Sequence, residues 1–141
     1  MKNIIDYGVI GLLVLMSIIA VAVAIERFRF FRRAASGSYP TIEIYEMELT
    51  KRLYIIATIG SNAPYVGLLG TVLGIIHTFL ILGEGGVANV NAIMTGLALA
   101  LKATAAGLLT AIPAIVLYNI LLRRANELLL IREGGGERKE H

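Results

Sequence analysis

The stretch APYVGLLGTVLGIIHTF, residues 63–79, decides how the chain is read. It carries no charged side chain, yet it places three glycines and two threonines where leucine would suit a lipid-facing helix better. Glycine is a poor helix former and threonine is polar, so these positions need a reason. At about 100° per residue, Gly67, Gly70, Thr71, Gly74 and Thr78 fall on one arc of a helix. Gly70 and Gly74 form a GxxxG pair, whose usual meaning in lipid is close helix packing. The stretch therefore reads as a spanning helix with one small, partly polar face and one bulky face.

The rest of the chain agrees with a membrane setting. The 141 residues are 57% hydrophobic and 16% charged, against about 25% charged in an ordinary soluble domain. Mean hydropathy is +0.76. Charge-free runs cover 7–25, 53–83 and, broken only by Lys102, 85–122. A spanning helix needs about 20 apolar residues. The expected fold is an all-α integral membrane protein with three transmembrane helices, the second and third long enough to extend beyond the bilayer. Its expected parts are a first span at 1–25, a connection with an amphipathic helix at 26–58, a second span at 59–83, a turn at 84–91, a third span at 92–122, and a helical extension with a flexible tail at 123–141. The chain has no cysteine, which removes disulfides, thiolate metal sites and thiol nucleophiles. No metal or cofactor is expected.

Residues 1–25 are read as a span and not as a cleaved leader, because the apolar run exceeds a leader's h-region and Lys2 is offset by Asp6. The connection 26–52 holds six Lys/Arg and the connection 83–91 none. The positive-inside rule then puts the N-terminus outside and the long connection and C-terminus in the cytoplasm. RFRFFRR interleaves basic and aromatic residues. Arg27, Arg29, Arg32, Arg33, Arg123 and Arg124 are expected to anchor to anionic phospholipid head groups, with no nucleic-acid role. After SGSYP, the segment TIEIYEMELTKRLYIIATIG reads as one helix entering the membrane without a break. Glu48 is placed to reach Arg52 at i+4. GEGGVANVN reads as the turn of a tight antiparallel hairpin, and GGGERKEH as flexible.

On the third helix Gly96, Ala100, Ala103, Gly107, Ala111 and Ala114 share one face, with Thr104 beside it. Leu97, Leu101, Leu108, Ile112 and Ile115 fall elsewhere. The small faces can serve ordinary helix packing. Alternatively, Thr71 and Thr104 can line a polar path shared with something that enters. Pro113 frees the carbonyl of Leu109, a kink that neighbours can satisfy. Lys102 either snorkels to head groups or pairs with a carboxylate or lipid phosphate. His77 is read as hydrogen-bonded packing or interface exposure. No carboxylate lies at mid-membrane depth, since Asp6 and Glu84 sit at the edges. A proton-driven machine needs one there, so it would come from another chain. No Ser/His/Asp group or carboxylate pair lies in an aqueous segment, and GLLGTVLG lacks the Gly-Lys-Ser/Thr of a phosphate loop. An enzyme is not expected.

PYVGLLGTVLGIIHTF followed by ALKATAAGLLTAIPAIVLYN resembles, in order and spacing, the paired signature of the ExbB, TolQ and MotA family of proton-driven motor subunits, and its ExbB members most. The resemblance implies a homo-oligomeric ring, a pentamer, in the bacterial inner membrane. The ring encloses the transmembrane helices of a partner, ExbD, which supplies the proton-carrying aspartate. It implies delivery of the gradient's energy to TonB, for outer-membrane uptake of iron chelates and vitamin B12. By motif position Thr71 and Thr104 line the proton pore. Gly67, Gly70, Gly74, Thr78, Ala100, Ala103, Gly107 and Ala111 are expected to pack a partner helix, and Lys102 and His77 to make charge or lipid contacts. Leu99 stands where relatives often carry glutamate. A TolQ-like or flagellar-stator-like subunit, or a scaffold for ExbD and TonB without a proton role, is the alternative.

Overall fold

The fold is given by a computed structural model that describes residues 2–34, 37, 39–85 and 89–140. The described residues form four helices: α1 (Lys2–Ala34), α2 (Ile42–Thr50), α3 (Leu53–Gly85) and α4 (Val90–Glu140). Three of them contain stretches long and apolar enough to cross a membrane. Large apolar side chains such as Leu15, Ile18, Leu69, Phe79, Leu109 and Ile112 point outward from these helices. That pattern suits a lipid surround and would be costly in water.

Small residues set how close α3 and α4 come. A Cβ added at Gly67 would lie 2.6 Å from the Ala103 carbonyl oxygen and 3.0 Å from the Gly107 Cα. One added at Gly107 would lie 2.7 Å from the Ala63 carbonyl oxygen. The two backbones touch, as small-xxx-small faces allow in lipid, where close packing substitutes for a hydrophobic drive. Helix α1 packs onto this pair. Its Val9 reaches Gly70, while Leu13 is buried with Ala63 and Ala111.

At the end of the bundle carrying the basic cluster, a larger core joins all four helices. It includes Ala24, Phe31, Tyr45, Leu49, Ile56, Leu121 and Leu128. Helix α2 starts after Pro40 with Thr41 as its N-cap, whose hydroxyl accepts the Ile44 amide at 3.2 Å. Here the structure corrects the expectation of one unbroken helix into the membrane. The chain leaves helical geometry at Lys51, and Arg52 takes a positive φ of 66° before α3 begins. Left-handed backbone at a non-glycine residue costs roughly 1 kcal/mol or more. The break lets Tyr45 and Leu49 bury against the core while α3 keeps its own axis. It also turns Arg52 away from Glu48 and onto the Glu26 carboxylate.

One further difference concerns α4. It runs unbroken to Glu140, so the glycines expected to loosen the tail extend a helix that is already nucleated. Residues 86–88 of the expected hairpin turn lie outside the described residues, as does His141. The turn's edges are helical: Glu84 and Gly85 close α3, and the Asn89 side chain accepts the Asn91 amide at 3.0 Å to open α4.

Candidate functional site

The hydroxyls of Thr71 and Thr104 meet between α3 and α4. Thr71 is 7% exposed and Thr104 half-buried. A threonine in a helix ordinarily donates to its own i−4 carbonyl. Thr78 does so to Gly74 at 2.9 Å, and Thr110 to Ala106 at 3.0 Å. Thr71 behaves differently: its oxygen lies 2.9 Å from the Ala100 carbonyl across the interface, closer than the 3.3 Å to its own Gly67 carbonyl.

Counting hydrogens fixes the direction of this chain. The approach of Thr71 to the Ala100 carbonyl needs a hydrogen, and only the Thr71 hydroxyl can supply it. Thr104 therefore donates to Thr71. Ala100 is the i−4 carbonyl that Thr104 would otherwise use, so the two helices exchange a bond that each could have kept to itself. The outward side of Thr104 is left with lone pairs and no hydrogen to give. It is a neutral hydrogen-bond acceptor.

The small faces expected to receive a partner's helix meet one another within one chain. Gly67, Gly70, Thr71 and Thr78 on α3, and Ala100, Ala103, Gly107 and Ala111 on α4, are all buried. Gly74 is half-buried against Ala100. Along this seam no backbone-width space remains for a third helix.

His77 lines a small cleft of about 180 Å³ with Thr78, Ile81, Leu82, Ala92 and Gly96, near the hairpin end. Lys102 is exposed and faces a separate cleft. Arg32 and Arg124 share a cleft with Phe28, Phe31 and Ile120, a basic and apolar lining suited to an anionic lipid. Arg29 and Arg33 are also exposed, and Arg123 and Arg124 both approach Glu127, at 3.4 and 3.3 Å.

Arg27 departs from the lipid-anchor expectation. It is 4% exposed, donates to the Glu48 carbonyl at 2.7 Å and to Glu26 at 3.1 Å, and lies 4.5 Å over the Phe30 ring. It clamps α1 to α2 instead of meeting head groups. Glu26, just past the apolar run 7–25, binds Arg52 as well as Arg27, and these cations hold its carboxyl below the usual carboxylate range, Arg52 most. Arg27→Ala is expected to cost about 3 kcal/mol of folding stability, because a bonded, buried charge site is emptied. The exposed Arg29→Ala should stay within about 0.5 kcal/mol. Equal melting temperatures for the two variants in detergent would remove the clamp.

The sequence reading missed three features: the Ala100 carbonyl as Thr71's partner, the burial of Arg27, and the placement of Asp6 beside Lys102. A carbonyl has no side-chain signature. Arg27 is one arginine among four, and no spacing rule relates residue 6 to residue 102.

A multi-pass, all-helical membrane protein with a hydroxyl pair between two closely packed helices is the class that these observations define. Residues 38–134 match the MotA/TolQ/ExbB proton channel family. The chain belongs to that family. It is 58% identical over 129 residues to the biopolymer transport protein ExbB of Aquifex aeolicus, covering 92% of this chain and 87% of that one. To the biopolymer transport protein ExbB of Helicobacter pylori it is 45% identical over 128 residues, covering 91% and 88%. To the Tol-Pal system protein TolQ of Haemophilus influenzae it is 46% identical over 78 residues, covering 55% of this chain and 34% of that one. The family is one of channels and transport subunits, not of enzymes.

Proposed function

We propose that this chain is the ExbB-type subunit of a TonB-system motor, coupling a proton gradient to TonB-dependent uptake of iron chelates and vitamin B12. Copies form a ring, a pentamer, around the transmembrane helices of ExbD. The N-terminus faces the periplasm, and the basic end of the bundle faces the cytoplasm and its anionic lipids. The observation that carries the reading is the hydroxyl chain from Thr104 through Thr71 to the Ala100 carbonyl. It gives an apolar wall one polar, uncharged acceptor, to which no carboxylate among the described residues is hydrogen-bonded. ExbD's protonated carboxyl would find an acceptor at Thr104, while its ionised form would find no donor there. Near-complete coverage by proteins named ExbB supports this assignment over a TolQ-like role.

Proton flux into liposomes tests it. Chain plus ExbD should conduct, and replacing the ExbD aspartate by asparagine should abolish the flux. Flux that persists without that carboxyl, or no flux from the intact pair, would favour a scaffold.

A further inference from the structure

Asp6, Tyr7, Ile10, Leu99, Lys102 and Ala103 line one cleft of about 250 Å³ between α1 and α4. Its two charges are opposite in sign, and their side chains stand apart across it. Among the described residues no ion pair joins either of them to another group. Asp6 is half-buried and Lys102 exposed.

The contacts between the helices give the depth of the cleft. A Cβ built on Gly70 would meet Ala103 at 2.7 Å and Val9 at 2.9 Å, so these three residues are level. Lys102 adjoins Ala103, and Asp6 lies one turn from Val9. From Gly70, α3 runs 15 residues on to Gly85 and 17 residues back to Leu53, about 22 and 26 Å at 1.5 Å per residue. Apolar side chains point outward on both sides of this level: Val72, Ile76 and Phe79 toward the hairpin, Leu109, Ile112 and Val116 toward the basic end. The cleft therefore lies inside the apolar band, which corrects the expectation that Asp6 sits at a membrane edge. The lysine stem reaches about 6 Å, short of either end of that band. A lone charge at such a depth is costly, and here there is one of each sign.

We propose that Asp6 and Lys102 form an ion pair inside the membrane that ties α1 to α4 and fixes the rotation of α4 about its own axis. The stem of Lys102 is flexible and exposed, so a rotamer change carries its ammonium toward Asp6. Pairing leaves the cleft neutral, and the low dielectric around it strengthens the attraction. Ile10, Leu99 and Ala103 supply its apolar walls. Residues 102 and 104 point about 160° apart around α4. Thr104 is held by Thr71 of α3, and Lys102 is held from another side by Asp6 of α1. Two bonds within one turn stop the helix from rolling, so the pair positions the Thr104 oxygen. That last step rests on the acceptor role proposed above for Thr104.

Thermal unfolding of the full chain in lipid nanodiscs tests the bond. Asp6→Asn and Lys102→Met each leave one lone charge and should lower the melting temperature by several degrees. Together they leave none, so the double variant should melt close to the unsubstituted chain. The exchanged pair Asp6→Lys with Lys102→Asp should recover as well. Proton flux through the complex with ExbD should fall severalfold in each single variant and return in the exchanged pair. The doubly neutral variant should melt normally yet conduct poorly, since α4 is no longer held, a split that a merely structural pair would not give.

Losses that simply add in the double variant, or a Lys102→Met chain that melts at or above the unsubstituted one, overturn the bond. So does recovery only when Asp6→Lys chains are mixed with Lys102→Asp chains, which places the bond between copies. Full flux in the doubly neutral variant overturns the positioning role. No flux from the unsubstituted complex would remove the acceptor reading instead, and the melting comparison would still decide the bond. If the exchanged pair fails to fold, the doubly neutral variant, which brings no charge into the membrane, decides.

Discussion

Gly67→Ala is expected to lower the stability of the folded chain by about 3 kcal/mol, at the upper end for overpacking a well-packed site. The added methyl meets the Ala103 carbonyl oxygen at 2.6 Å and the Gly107 Cα at 3.0 Å. Both are backbone atoms, and no rotamer change moves them aside. Relief must come from separating α3 and α4, which also pulls Thr71 away from the Ala100 carbonyl. Gly67→Val should be worse still. Gly107→Ala should behave like Gly67→Ala, and the double variant should cost less than the sum, because one separation of the helices accommodates both methyls. Gly83 is the control, being in the same helix with nothing within 4 Å of a built Cβ. Gly83→Ala should be neutral or stabilising by up to about 1 kcal/mol through helix propensity. Thermal unfolding in detergent gives the comparison, and a Gly67→Ala protein as stable as Gly83→Ala would refute the close crossing.

The second large effect concerns the hydroxyl pair and is unequal between its members. Thr104→Val removes the outward acceptor and should cut proton flux through the reconstituted complex about tenfold, as expected for one lost hydrogen bond of roughly 1.4 kcal/mol. Thr71→Val should do less. It frees the Ala100 carbonyl, and Thr104 then donates to it in the ordinary i−4 manner. Thr104 keeps its outward lone pairs in that variant, held less firmly. Thr104→Ser should retain most of the flux, because serine keeps the oxygen. A larger loss in Thr71→Val than in Thr104→Val, at equal protein abundance, would show that the direction assigned to the chain is wrong.

Much of the fold was legible because a membrane enforces a simple grammar. Backbone groups in lipid must bond within their own helix, so runs such as 7–25 and 53–83 can only be spans. The small faces of α3 and α4 were equally legible from their periodicity, and the structure buries both. What those faces touch was not legible. Periodicity locates a face on a helix but says nothing about which helix covers it, and here each covers the other. The break at Lys51–Arg52 was hidden for a related reason. Nothing in MELTKRLY is a helix breaker, and the positive φ at Arg52 accompanies a tertiary ion pair with Glu26, 26 residues earlier. Arg27 shows the limit from the other side. Its neighbours Arg29, Arg32 and Arg33 face outward, and only the docking of α2 separates it from them.

The length of α4 has a mechanical consequence. Its 51 residues form one helix that carries Thr104 and, 28 positions later, Arg132. Arg132 is held by the strap that enters α2: its guanidinium lies 5.3 Å from the Tyr39 ring and 4.5 Å from the Tyr45 ring, and donates to the Gly37 carbonyl at 3.1 Å. The separation of Thr104 and Arg132 along the axis is about 42 Å, so tilting α4 about 5° around the hydroxyl level would sweep Arg132 through about 4 Å. The helix is a lever with its fulcrum at the hydroxyl pair and its far arm tied to α2. Any rearrangement that reorients α4 at the hydroxyl pair therefore reaches the opposite end of the molecule as a displacement of α2.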